Sequence, residues 1–423
     1  MVTGGPSADD PKDESEAVSM AVRGKTVAGR LSVALLAAMT WGSFGSVAAD
    51  LGPRVAATSA IPASSSVTSA PASAAATCAD TVLASMTMSQ RIGQLFNVGL
   101  PYTTLTTSER AAIAQYHFGS VWLARHWNEG AAAVRALTSA VQAQATSSAT
   151  HRVRFFIAAN QEGGLIQALN GSGFDVMPTA LTQGTWATTT LLSRAQRWAT
   201  QLRAAGVNLN FAPVADTVPP GTDYQNAPIG RLKREFGHYV SVVSPHAAAF
   251  FGGMRAAHVF TTAKHFPGLG RVTANTDNTA NVTDTITTRN DYYIVPFKHA
   301  VDLGEQAVMV SLATYTRIDS THQAVFSPTV IGGMLRGDLG FGGIIMSDSL
   351  SAAAVTWLTP GARAIRFLNA GGDMIVLGPI SQAITMAQAI ATHAGSSPWF
   401  RGRVNNAALH VLRQKQGAGL LPC

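Results

Sequence analysis

The segment VFTTAKHFPGLGRVTANTD, residues 259–277, joins an apolar run rich in β-forming residues to a cation, an imidazole and a Gly/Pro-rich loop. Apolar residues followed by Lys264 and His265 read as a buried strand whose end carries chemistry. The same layout recurs along the chain. From Leu95 onward, short apolar runs alternate with longer helical patterns: LFNVGL (95–100), GSVWLA (119–124), RFFIAAN (154–160), NLNFAPVAD (208–216), VFTTAKHF (259–266), AVMVSLAT (307–314), GIIMSDS (343–349) and DMIVLG (373–378). Near-continuous apolarity suits strands covered on both faces, as in a parallel sheet wrapped by helices. Amphipathic patterns at 131–144, 191–205 and 240–254 supply such helices, and 403–414 covers the last strand. Ser327 before Pro328 reads as a helix N-cap with proline in the first turn.

Eight β/α repeats predict an α/β fold, a closed (β/α)8 TIM-type barrel forming a single catalytic domain. Barrels of this kind run to about 250 residues or more as one unit, so a chain of 423 residues accommodates one with extensions. Their active sites lie at the C-terminal ends of the strands. Asn160 and Glu162, Asp216, Lys264 with His265, and Asp348 end different strand candidates, so the barrel predicts that they face one mouth.

NQEGGLIQAL, NLNFAPVADT, IGRLKREFG, KHFPG, AVMVSLATYTRID and LGFGGIIMSDSL occur in that order. Over residues 85–415 the series resembles the catalytic signatures of glycoside hydrolase family 3, in its single-domain β-N-acetylhexosaminidase branch. The resemblance implies a retaining glycosidase in which Asp348 is the nucleophile that forms a covalent glycosyl intermediate. It also implies that Lys264, His265 and Arg234 contact sugar hydroxyls, with Glu162 and Asp216 in the substrate-binding set and Asn160 where the family has a sugar-binding aspartate. The residues alone leave plainer readings open. An aspartate at a strand end often caps a loop, and a buried Lys264 needs a partner such as Asp216 or Glu162. Arg231 and Lys233 crowd the arginine loop beside Arg234.

The chain also departs from the family. After KHFPG the branch continues into an Asp-Ser-His triplet whose histidine is the acid/base; here those places hold Asn275, Thr276 and Asp277. Leu269, Leu165 and Ala168 replace further polar residues common in the family. Two readings follow. Asp277 takes over as proton donor, restoring a two-carboxylate arrangement, or the protein binds glycans without cleaving them. Losing a general acid costs about 10²- to 10⁴-fold in rate, so the second reading is nearly inert.

Other classes have less support. GLG at 268–270 lacks the remaining features of a dinucleotide loop, and no zinc or calcium spacing accompanies it. No metal or cofactor is expected. The net charge is +7, but the basic residues are scattered and no nucleic-acid motif goes with them. The expected partner is a carbohydrate, and a monomer is expected.

Arg23, Lys25 and Arg30 precede an apolar run from Leu31 to about Phe44, then small residues ending in SVAAD. This layout predicts a secretory signal within an N-terminal extension over 1–49, starting at Met20, and a secreted or cell-envelope protein with no stable membrane span after signal removal. Residues 50–77 are mostly Ala, Ser, Thr, Pro and Val and read as a flexible linker before a domain over 78–423. The two cysteines, Cys78 and Cys423, flank that domain. A disulfide is favoured over a lipid-modified Cys78, which lacks an adjacent apolar signal region.

Overall fold

The computed structural model describes residues 77–423. The proposed signal over 1–49 and the linker up to residue 76 lie outside them. Each of the eight apolar runs holds a strand: β1 Phe96–Leu100, β2 Ser120–Leu123, β3 Phe156–Ala159, β4 Leu209–Asn210, β5 Thr262–Phe266, β6 Ala307–Val310, β7 Ile344–Ser347 and β8 Ile375–Leu377. The strand at 208–216 is shorter than its apolar run because Pro213 has no N–H for a ladder. Beyond Asn210 the segment meets β5 without a regular ladder: the Ala212 and Pro213 carbonyls accept the Thr262 and Lys264 N–H groups at 2.9 and 3.2 Å, and one bridge joins Val214 to Lys264.

All ladders among these strands are parallel. One sheet runs β8-β1-β2-β3-β4 and a second β7-β6-β5. Isolated parallel bridges continue from each: Leu209 to Phe260 and Val214 to Lys264 between β4 and β5, and Met346 to Met374 between β7 and β8. The fold is α/β and TIM-barrel-like.

Side chains alternate between two cores, as strand geometry requires. Phe156, Ala158, Leu209, Met309, Ile344, Met346 and Val376 pack together in one core, on the face of the strands away from the larger one. Their neighbours Val98, Ile157, Val308, Ile345 and Leu377 face the helices in the larger core. The predicted helices occur as Gly130–Gln142, Thr188–Ala204, Val240–Ala256 and Pro398–Gly417. Ser327 caps as expected, its Oγ accepting from the Val330 N–H at 3.1 Å. The helix it opens, Thr329–Asp338, is wound as a π-helix.

Several elements were not foreseen. A short hairpin pairs Gln161–Gly163 with Ile166–Gln167, and a three-stranded patch joins Thr283–Asp284, Thr314–Tyr315 and Asp319–Gln323. A helix at Cys78–Ser85 packs through Val82 and Met86 against Leu412 of the last helix. Cys78 and Cys423 are disulfide-bonded with their Cα atoms 6.2 Å apart, which decides against lipidation of Cys78. No described helix is long and apolar enough to cross a membrane.

Candidate active site

Strands β3, β5 and β7 end at one cavity of about 310 Å³, lined by Asn160, Arg234, Lys264, His265, Asp277 and Asp348. Its apolar floor is made by Trp122, Phe211, Met309 and Val376. Of the residues singled out in the sequence, Glu162 and Asp216 do not line it. They stand behind the lining, Glu162 holding Arg234 and Lys264 and Asp216 holding His265.

Glu162 takes Arg234 as a fork, with Nε to Oε2 and Nη2 to Oε1 both at 2.9 Å, and receives Lys264 Nζ on Oε1 at 2.5 Å. Burial alone would raise the Glu162 carboxyl, but the charges of Arg234 and Lys264 overcome it and hold it at about 2. Lys264 Nζ also donates to Asn160 Oδ1 at 2.9 Å. Burial, aided by Arg234, lowers the Lys264 ammonium from its ordinary value, while Glu162 and Asp348 oppose the shift. The plainer reading of Lys264 as a structural ion pair is therefore correct in its geometry. The partner is Glu162, and the lysine still reaches the cavity.

Asp216 is wholly buried and serves His265 and its loop. Its Oδ2 meets His265 Nδ1 at 2.7 Å, and its oxygens accept the backbone N–H groups of His265 and Leu269 at 3.1 and 2.8 Å. The contact fixes the ring so that Nε2, 3.5 Å from Arg234 Nη2, turns toward the guanidinium. Of the three basic residues in the arginine loop, only Arg234 lines the cavity: Arg231 is exposed and donates to the Tyr224 carbonyl, and Lys233 is exposed at a left-handed φ of 53°.

The loop after β5 is held by residues that the sequence reading passed over. Asn226 donates to the Leu269 and Val272 carbonyls at 2.7 Å each, while its Oδ1 accepts from Ile229 and Gly230, so one side chain ties that loop to the arginine loop. Tyr315 donates to the Gly268 carbonyl at 2.8 Å. Gly270 lies so close to Thr217 that a Cβ there would sit 1.8 Å from its carbonyl oxygen, which excludes any larger residue. Glu235, next to Arg234, is wholly buried with neither carboxyl oxygen paired. Burial, with Asp223 and Asp216 adding to it, pushes it up to about 7.

Asp348 follows β7 directly; its N–H donates to the Val310 carbonyl at 3.0 Å and its Oδ1 accepts from the Ser349 N–H at 2.8 Å. Asp277 reaches the cavity from the loop after β5. The Asp277 and Thr276 carbonyls accept the Ala353 and Ala354 N–H groups at 3.0 and 3.1 Å, which fastens this loop to the segment following Asp348. Asp277 is exposed at the rim, yet its carboxyl is crowded enough by protein that burial, then the negative charge of Asp348, raises its pKa. Arg234, His265 and Lys264 pull in the opposite direction. A carboxyl raised in this way keeps its proton to higher pH and can donate it.

Among the described residues no cluster of His, Cys, Asp and Glu is arranged to hold a metal ion.

The family model of the glycosyl hydrolase family 3 N-terminal domain matches residues 87–414. The chain is similar to the crystal structure of a β-N-acetylhexosaminidase from Beutenbergia cavernae, with 42% identity and a TM-score of 0.78 over 79% of this chain and 99% of that one. A β-hexosaminidase of Stenotrophomonas maltophilia is 30% identical over 66% of this chain and 82% of its own length. Another from Alkalilimnicola ehrlichii is 32% identical over 66% and 79% respectively.

Proposed function

Since the chain belongs to glycosyl hydrolase family 3, we propose that it is a secreted retaining glycosidase that removes terminal β-linked N-acetylglucosamine from cell-wall or chitin-type glycans. The similar β-hexosaminidases support the sugar class. Residues 78–423 act as one closed (β/α)8 barrel and as a monomer, with a secretory signal and a linker before it. The bridges between β4 and β5 and between β7 and β8 support closure.

The observation that carries this reading is that Asp277 and Asp348 line one cavity together with Arg234, Lys264 and His265. Lys264, His265 and Arg234 hold the hydroxyls of the terminal sugar, assisted by Asn160. Glu162 and Asp216 hold those groups in place from behind. Asp348 attacks the anomeric carbon as a carboxylate, forming a carbon–oxygen bond while the bond to the leaving oxygen breaks. Asp277 gives its proton to that oxygen. A water then attacks the glycosyl intermediate, Asp277 takes the water's proton, and Asp348 leaves as a carboxylate. Burial, with the negative charge of Asp348 adding to it, raises the Asp277 pKa and so favours the protonated form that the first step needs.

The alternative is glycan binding without cleavage; it is supported by Asn275, Thr276 and Asp277 standing where the resemblance leads one to expect an Asp-Ser-His triplet. Turnover of an aryl β-N-acetylglucosaminide and of the matching glucoside, measured from acidic to neutral pH beside an Asp348→Asn variant, separates the two. Wild-type turnover of the N-acetylglucosaminide that the substitution abolishes is the expected result. Background rates in both proteins, with sugar binding retained, would leave only the binding reading.

A further inference from the structure

We propose that a cavity at the end of the strands opposite the active site binds a small phosphorylated ligand, a phosphate monoester or pyrophosphate, through Arg135, Arg154 and Arg203. Asn160 and Asp348 of the active site directly follow β3 and β7, at the C-terminal ends of the strands. This other cavity, of about 390 Å³, takes Arg154 from just before β3 and Gly206 and Asn208 from just before β4, so it lies at the N-terminal ends. The helices Gly130–Gln142 and Thr188–Ala204 add Arg135 and Arg203, and Ala418, Gly419 and Leu420 close it from the end of the chain.

Charge singles this cavity out. None of its lining residues is acidic. Arg197, Arg234, Arg271, Arg289 and Arg336 are each paired with a carboxylate, but among the described residues Arg135, Arg154 and Arg203 have no such partner. A guanidinium keeps its charge at any pH a protein meets, so three like charges border one space and repel one another. An anion in that space replaces the repulsion by attraction. The three arginines are scattered along the sequence, and only the fold brings them to one place.

The walls between them are firmly held. Gln142 accepts the Phe155 N–H at 3.0 Å and donates to the Phe155 carbonyl at 2.9 Å; Asn208 donates to the same carbonyl at 3.0 Å and accepts the Ile157 N–H at 2.7 Å. The Arg154 N–H donates to the Leu420 carbonyl at 2.8 Å, which seats the end of the chain against β3, and the Cys78–Cys423 disulfide ties the last residue to the first helix. Arg135 lies along the wall, its Nη1 only 3.3 Å from where a Cβ on Gly206 would be. Gly206 has a φ of 81°, and a Cβ there would meet Thr138 Oγ1 at 2.2 Å, so the place stays without a side chain. Because Gln142 and Asn208 are occupied with backbone, recognition falls to the guanidinium groups and to Ser139, exposed at the edge.

This chemistry selects phosphate. Guanidinium forks match phosphate oxygens in pairs. A phosphate monoester carries a charge of about −1.5 to −2 near neutral pH and three acceptor oxygens, which suits three arginines better than the single charge of a carboxylate. The cavity falls within the range of small-ligand sites, about 300–1,000 Å³, so it also holds the group that the phosphate is attached to.

Calorimetry on the full chain with inorganic phosphate, glycerol 3-phosphate, pyrophosphate and, as a carboxylate control, succinate tests the assignment. Pyrophosphate should saturate one site per chain. Arg135→Gln and Arg203→Gln should each weaken it by about tenfold or more, the usual effect of losing a hydrogen bond to a charged group. Arg110→Gln, which removes an exposed arginine outside the cavity, should change it by less than about twofold. Thermal unfolding of the variants should match the wild type, because the exposed arginine side chains hold no partner in place. Tighter binding of glycerol 3-phosphate than of inorganic phosphate assigns an organic ester, and the reverse assigns free phosphate; both support the phosphate class. The proposal is overturned by an absence of saturable binding, by succinate binding as tightly as pyrophosphate, by an equal loss in Arg110→Gln, or by competition between pyrophosphate and N-acetylglucosamine for the active site. None of these readouts depends on glycosidase activity.

Discussion

Replacing Glu162 by Gln tests whether the buried carboxylate organises the two cations that line the cavity. Its side chain is 3% exposed, between Lys264 at 2% and Arg234 at 13%. Holding its carboxyl at about 2 instead of the ordinary 4.5 is worth about 3 kcal/mol in favour of the ionised folded state. Removing one partner of a buried ion pair typically costs about 3–5 kcal/mol, because the remaining charges stay desolvated. Glu162→Gln should therefore lose about 3 kcal/mol of unfolding free energy at pH 7. The pH dependence has a definite sign. Because the folded carboxyl is depressed, its contribution is present above about 4.5 and disappears as pH falls toward 2, so the wild type should lose stability through that window and the variant should lose less. With Lys264 and Arg234 released from their common anchor, kcat/KM should fall by about 10²-fold, the usual effect of displacing a positioning group by about 1 Å. Urea unfolding at pH 3 and pH 7, with kinetics on an aryl glycoside, measures all of these. A loss below about 1 kcal/mol with unchanged kcat/KM would refute the anchoring role.

Asp277→Ala should slow a substrate with a poor leaving group by about 10²- to 10⁴-fold, while azide restores turnover of an activated one; an unchanged rate would exclude Asp277 as the proton donor. Because its carboxyl is raised, activity should be highest on the acidic side and fall as pH rises through its pKa, a fall absent from Asp277→Ala in a pH–rate profile. Cys423→Ser opens a covalent loop spanning 345 residues and should lower stability by up to about 5 kcal/mol, and reduction of the wild type should lower its Tm in the same way. Glu305, buried with one oxygen unpaired and pushed up to about 8, favours folding while protonated. The wild type should thus lose stability as pH rises from about 4.5 toward 8, and Tm values at pH 5 and pH 8 should converge in Glu305→Gln.

The strands were legible because burial on both faces leaves them almost wholly apolar, so β1 to β8 stand out against amphipathic helices. The cavity residues were legible for a related reason: Lys264, His265 and Asp348 are charged or polar groups at the ends of apolar runs, where only a site or a partner makes them tolerable. Partnership itself was not legible. Glu162 and Arg234 are 72 residues apart, and nothing local in the chain says that they form one fork. Asn226 and Tyr315 act between loops, so their roles exist only after the loops are placed. Trp122 looks like any strand residue until the alternation along the sheet shows which face turns toward the cavity. One missed signal was available: Thr77 with Asp80, Thr87 with Gln90 and Thr106 with Glu109 are capping boxes written in the sequence, and each opens a helix near the N-terminal edge of the fold that periodicity alone does not reveal.

The choice between cleavage and mere binding turns on what a second carboxyl near Asp348 does for each. A binding protein would gain from Arg234, Lys264 and His265 as donors to hydroxyls, and from the carboxylates behind them, which hold those groups in place. It gains nothing from placing Asp277 where the charge of Asp348 makes its own ionisation unfavourable. That juxtaposition is a liability for a passive site, since one group must stay protonated or both must repel. For a retaining hydrolase the same repulsion does useful work at each half of the cycle. Added to burial, it raises the Asp277 pKa and favours the protonated form before the leaving oxygen departs, and once Asp348 is esterified and neutral, the lost repulsion favours the ionised form that receives the water's proton. The tie between the Asp277 loop and the Ala353–Ala354 backbone holds the two carboxyl-bearing segments in register, so this coupling does not depend on a mobile loop finding its place.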